Sequence, residues 1–222
     1  MTSPPAGPEP VPGRYLRATA IGFIVGSALF AVGVPLSLTA LPAAVAAWTF
    51  VAGSVFFTSA ALLQLLASWE RRPRSRPDWV ASAVQLVGTV AFNVTTVRAA
   101  LDASGARTIS AAVVWRPDAV GSVLFLVSSG IAMAPEVRWH RHAHARDRSW
   151  AIATLNLAGS VLFGASAIGA WTVPSSDALL SEWWSNVGTV GGAICFLAGA
   201  VLLLPRRARG AANDDLMASG GP

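Results

Sequence analysis

The chain has 222 residues, of which 54% are hydrophobic and only 12% charged. Soluble domains normally carry about a quarter charged residues, so a single soluble globular domain is excluded and the bilayer is the expected solvent. The net charge of +5 comes from 16 cationic residues, all of them Arg, a usage that fits a GC-rich bacterial genome; they stand in separate clusters between apolar stretches, so no nucleic-acid partner is expected.

The first 16 residues are Pro-rich and read as a tail. Six apolar spans follow, Ala18 to Leu38, Ala46 to Ala67, Trp79 to Val97, Pro117 to Pro135, Trp150 to Trp171 and Trp183 to Leu204. Each is near the ~20 residues that a helix needs to cross ~30 Å of hydrocarbon at ~1.5 Å per residue. Helices are expected because backbone groups in lipid must be satisfied within the segment, and alternating barrel strands are not seen. The first span exceeds a signal-peptide core and is expected to be retained. All nine Trp residues fall at or just beyond a span boundary, as interfacial anchors do. A second tail, rich in Gly, Ala and Asp, closes the chain.

Every span carries one copy of an octet, G-[S/T/A]-x-x-F-x-x-small. The six copies pair Gly26 with Phe30, Gly53 with Phe57, Gly88 with Phe92, Gly121 with Phe125, Gly159 with Phe163 and Gly192 with Phe196. Gly, Phe and the closing small residue share one helical face. Lipid tails are as apolar as Leu, so membrane helices associate by close fit, and the octet is expected to be a packing device in which a neighbour's Phe ring fills a Gly notch. Hydroxyls at the second octet position, Ser27, Ser54, Thr89, Ser122 and Ser160, are expected to bond to their own helix or across an interface. Spacing of the octets groups the spans into three tandem hairpins of like orientation, which an axis along the membrane normal would relate.

Thirteen Arg residues lie on the side of the termini and three, Arg98, Arg107 and Arg116, on the other. The positive-inside rule therefore places both termini in the cytoplasm, with the chain in the cell (inner or plasma) membrane. The expected organisation is a tail over 1–16, hairpins over 17–72, 73–139 and 140–207, and a tail over 208–222. It is an all-α polytopic bundle of six transmembrane helices.

The run from Gly22 to Phe30, the run from Phe50 to Phe57 and the stretch Glu70-Arg71-Arg72 together resemble the two-helix unit of the YrhK-like domain family, over Tyr15 to Arg72. The resemblance implies a bacterial integral membrane protein, with no activity, ligand or catalytic residue to carry over.

Polar residues within spans often mark function, because lipid makes them costly without a partner. Gln85, Asn93, Asn156 and Thr189 form a candidate uncharged pathway, or else fasten helices by hydrogen bonds. Arg98 and Asp118 form a candidate ion pair between the third and fourth spans, with Pro117 in the fourth helix's first turn and Asp118 near its N-terminus. His140 and His144 have i, i+4 spacing with His142 between, but Arg138, Arg141, Arg146 and Arg148 repel a cation, and no metal site is expected. The Arg clusters are expected to touch anionic lipid headgroups instead. No nucleophile elbow, phosphate-binding loop or intramembrane carboxylate pair is present, so neither catalysis nor a cofactor is expected. Two roles follow from this reading. One is a small transporter or channel, the other a non-conducting scaffold or sensor; a homo-oligomer or an unknown protein partner is left open.

Overall fold

The computed structural model describes residues 13–71, 76–143, 148–176 and 178–205. They form α1 (Gly13–Ser37), α2 (Ala43–Arg71), α3 (Arg76–Ala103), α4 (Ala111–Ala143), α5 (Arg148–Gly169) and α6 (Glu182–Leu203). All six are long and apolar enough to cross a membrane. The shortest, α5 and α6, have 22 residues each and so reach about 33 Å. Among the described residues the only extended pairing is an isolated antiparallel bridge of Thr172 with Leu179 in the α5–α6 loop.

Local chemistry sets several helix ends. α3 opens with Arg76-Pro77-Asp78, where proline lacks an N–H that would have no partner and the carboxylate faces the positive helix end. It closes on Gly105 at φ +69°, with Ala106 N–H donating to the Leu101 carbonyl at 3.0 Å and Gly105 N–H to the Asp102 carbonyl at 2.9 Å. That reversal needs the left-handed conformation which glycine adopts without strain. Ser181 caps α6, its hydroxyl accepting from Trp184 N–H at 3.3 Å.

α1 to α4 overrun the predicted spans, whereas α5 and α6 keep the predicted length one or two residues earlier, and two expectations change with the overrun. α1 begins at Gly13, inside the segment 1–16 read as a tail. α4 begins at Ala111, with Val113 N–H donating to the Ser110 carbonyl at 2.9 Å. Pro117 is therefore a helix-interior proline rather than a first-turn one, and Asp118 is about two turns from the N-terminus it was expected to meet.

Helix backbones come close only to their neighbours around a closed ring, in the order α1, α2, α3, α4, α5, α6 and back to α1, and side chains meet across its axis. This is the three-hairpin ring. Within each hairpin the two octets cross at their glycines. A Cβ on Gly26 would lie 2.7 Å from Phe57 Cδ2 and 3.0 Å from the Gly53 carbonyl oxygen, while one on Gly53 would lie 2.8 Å from Phe30 Cδ2 and 3.1 Å from the Gly26 oxygen. Gly88 meets Phe125 and Gly121 meets Phe92; Gly159 meets Phe196 and Gly192 meets Phe163. Each Phe is the knob for its hairpin partner's notch. The outer surface of the ring is apolar, exposing Val55, Leu62, Val87, Val123, Val161 and Ile194. With Trp48, Trp69, Trp171, Trp183 and Trp184 exposed near the helix ends, the arrangement is that of an integral, multi-pass membrane protein.

Candidate functional site

The six octet phenylalanines meet on the ring axis. Phe57, Phe125 and Phe196 form one triangle, with ring centroids 6.4, 5.7 and 5.9 Å apart. Phe163 lies 6.1 Å from Phe30 and 5.9 Å from Phe92 in the other set. Hairpin partners join the two sets at 5.8, 5.1 and 5.6 Å. Because each hairpin's helices are antiparallel and cross at glycine, the Phe backbones of α1, α3 and α5 sit about one turn, or ~6 Å, toward the loop face. Those of α2, α4 and α6 sit one turn toward the face of the termini. Two layers of rings thus fill the axis. All six rings are buried, at 2–8% exposure, and most pairs are edge-to-face, an arrangement aromatic quadrupoles favour, while Phe92–Phe163 is tilted and Phe163–Phe196 stacked. The apolar void left among them is about 10 Å³, close to the minimum for a single water.

On the terminal side of this plug lies a cavity of about 230 Å³ to which all six helices contribute. Phe196 and Phe23 belong to its apolar part, and Leu16, Asp78, Ser149 and Leu203 bring it to the terminal face. Its polar wall comes from Thr19, Gln64, Ser82, Gln85, Glu136 and Asn156. Thr19 is 2% exposed and its Oγ1 has no partner in the protein. Gly199 presents bare backbone to the same wall, where an added Cβ would lie 3.0 Å from Asn156 Oδ1.

The four candidate pathway residues divide by depth. Gln85 and Asn156 line the cavity. Asn93 instead joins α3 to α2, accepting from Ser54 Oγ at 2.7 Å and donating to Thr58 Oγ1 at 2.5 Å. Thr189 is paired with Ser166 Oγ at 2.7 Å and donates to the Ser185 carbonyl at 2.8 Å. These two are clasps.

Clasps of this kind recur between hairpins. Ser54 also meets Thr96 Oγ1 at 3.0 Å, Ser129 meets Ser160 Oγ at 2.7 Å, and Ser122 donates to the Phe163 carbonyl at 3.3 Å. Thr89 bonds back to Leu86 in its own helix. Ser27 departs from the expectation: it is fully buried and its hydroxyl has no partner. The repeat gives the reason. Ser160 pairs with Ser129, eight residues after the α4 octet glycine; the matching residue of α6, the neighbour of Ser27, is Ala200.

Arg98 and Asp118 are not brought together as an ion pair. Pro117 has no N–H to give the carbonyl four residues back, which is that of Val113. Arg98 Nη1 donates to that oxygen at 2.9 Å, and Thr95 Oγ1 donates to the adjoining Val114 carbonyl. The guanidinium therefore satisfies a backbone group that lipid would leave unsatisfied. Asp118 is half-buried on α4. The side chains of His140 and His142, and all of His144, lie outside the described residues.

Residues missed in the sequence are Thr19, Gln64, Asp78 and Glu136. Asp78 and Glu136 each fall one residue outside a predicted span, and the overrun of α3 and α4 carries them into the wall. The fold and site together define a multi-pass bundle with an axial polar vestibule. No family model matches the chain, and neither a curated protein nor a solved structure matches it.

Proposed function

We propose that the protein is a small transporter or channel held in a closed state, with the terminal face toward the cytoplasm of a bacterial inner or plasma membrane. Solutes enter the vestibule from that face, and the double layer of phenylalanine rings is the barrier. The observation that carries this reading is the placement of the polar cavity on the axis of the ring, lined by all six helices and ending on Phe196. A cavity made only by imperfect packing would have no reason to collect three amide side chains and two carboxylates. The Arg asymmetry of the sequence supports the orientation, and exposed Arg17, Arg76 and Arg138 at the terminal face suit contact with anionic headgroups. On this reading the first hairpin, Tyr15 to Arg72, is a two-helix unit of the YrhK-like kind.

Stopped-flow flux through reconstituted vesicles tests the role. At least one solute among methylammonium, guanidinium, urea and glycerol should cross faster than through protein-free vesicles. Filling the vestibule with Gln85→Trp and Asn156→Trp should abolish the gain. A second reading, a non-conducting sensor or scaffold, is favoured by the clasp roles of Asn93 and Thr189, which leave no free polar group of the candidate set beyond the plug. Flux equal to that of empty vesicles for every solute would leave this second reading.

A further inference from the structure

We infer that the vestibule selects a small organic cation, an ammonium or guanidinium compound carrying a short apolar portion; the inference rests on the reading that solutes enter the vestibule. Among the described residues the wall contains two acidic side chains, Asp78 and Glu136, and no Arg, Lys or His. Both carboxylates already have partners within the protein, so they give the wall its acidic composition without being free to close on a ligand. Direct contacts are left to other groups. Thr19 Oγ1 is buried, unpartnered and part of the wall, and a hydroxyl oxygen in that state is an acceptor for an N–H donor. Among the described residues, the side-chain amides of Gln64, Gln85 and Asn156 have no hydrogen-bond partner either, and they bring further acceptor oxygens from α2, α3 and α5.

The floor completes the fit. Phe196 and Phe23 offer ring surface, which attracts a cation electrostatically and also accommodates a hydrocarbon portion. A volume of about 230 Å³ equals about eight waters at ~30 Å³ each, enough for a small organic ion. Among the described residues an anion would find no cationic side chain in the wall: Arg17, Arg76 and Arg138 are exposed outside it, and half-buried Arg148 donates to the Leu204 carbonyl.

Charge selectivity can be read on one protein. Gln85→Cys is placed in a Cys195→Ala background in nanodiscs, which leave both faces accessible. It is reacted separately with cationic trimethylammonioethyl methanethiosulfonate and anionic sulfonatoethyl methanethiosulfonate. Each rate is divided by that reagent's rate with a free thiol. The cationic reagent should be faster by about tenfold or more, the scale set by nearby charges at an effective dielectric of ~20. Millimolar guanidinium should slow the labelling, and urea, its neutral isostere, should not. Glu136→Gln should bring the two reagent rates together, although the comparison does not need that variant to fold. Equal rates, a faster anionic reagent, or protection by urea as strong as by guanidinium would overturn the cation assignment while leaving the vestibule standing. Labelling by neither reagent would overturn the entry reading and this inference with it.

Discussion

Gly159 and Gly164 lie five residues apart on α5, and the ring geometry assigns them opposite responses to the same change. A Cβ at Gly159 would sit 2.9 Å from both Phe196 Cδ2 and Cε2 and 3.1 Å from the Gly192 carbonyl oxygen. Retreat of Phe196 would break its stacking on Phe163 at 5.6 Å and its edge-on contacts with Phe125 at 5.7 Å and Phe57 at 5.9 Å. Overpacking of this kind costs about 1–3 kcal/mol, and the gain from replacing a helical glycine offsets up to about 1 kcal/mol. Gly159→Ala should therefore destabilise by about 1–2 kcal/mol. A Cβ at Gly164 meets nothing within 4 Å, so Gly164→Ala should be neutral or stabilising by up to about 1 kcal/mol. Gly188→Ala should be the most damaging, since its Cβ would lie 2.6 Å from the Leu162 carbonyl oxygen and 2.8 Å from Ser166 N, both backbone atoms. Thermal unfolding in mild detergent, followed by tryptophan fluorescence, resolves these differences at about 2–4 °C per kcal/mol. Equal midpoints for Gly159→Ala and Gly164→Ala would refute the interlock as the source of stability.

Arg98→Ala should couple to Pro117→Ala and not to Asp118→Asn. The first pair shares the Val113 carbonyl, so restoring the helical N–H at 117 should recover much of the ~1–3 kcal/mol lost with the guanidinium; a double-mutant cycle with coupling to Asp118 alone would contradict this. Ser160→Ala should cost about 0.6–2 kcal/mol through the lost Ser129 bond, whereas Ser27→Ala, which removes a hydroxyl without a partner, should leave the midpoint unchanged or raise it. Ala200→Ser should stabilise by giving Ser27 a partner, and should lose that effect in the Ser27→Ala background. Phe57→Ala combined with Phe125→Ala and Phe196→Ala should make vesicles permeable to small solutes; vesicles that stay tight would place the barrier elsewhere.

The repeating octet was legible because one physical demand, close approach of helices that gain little from apolar burial, falls alike on every span. Gly and Phe could thus be read as notch and knob, and the structure pairs them reciprocally within each hairpin. The site was less legible. Gln85, Asn156 and Thr189 all stand three residues before an octet glycine, and sequence alone gives them one role. Helix direction separates them. In α3 and α5 that position lies on the terminal side of the plug and faces the cavity, while in antiparallel α6 it lies on the loop side against Ser166. Asp78 and Glu136 escaped notice for a different reason. A span drawn from hydropathy stops where charge begins, but helices continue through the interface and bring their first and last polar turns to the mouth of an axial cavity.

On the transporter or channel reading, the residue that locks the bundle also blocks its axis, which constrains how a route could open. Separating the two Phe layers along the axis would break hairpin contacts of 5.1–5.8 Å between rings seated in glycine notches. Moving hairpins apart sideways leaves the notches filled and breaks the longer inter-hairpin ring contacts of 5.7–6.4 Å and the inter-hairpin seams, which are unequal. The α2–α3 seam is held by Ser54, Asn93 and Thr96, and the α4–α5 seam by Ser122, Ser129 and Ser160. At the α6–α1 seam the positions equivalent to Ser122 and Ser129 are Ala193 and Ala200, and Ser27 opposite has no partner. Opening should therefore begin where the first hairpin meets the third. A disulfide between Cys residues engineered across α1 and α6 at the octet level should suppress flux, whereas an equivalent cross-link between α4 and α5 should leave most of it. Equal loss from both would mean that the three hairpins move together and that the missing clasp has no bearing on the motion.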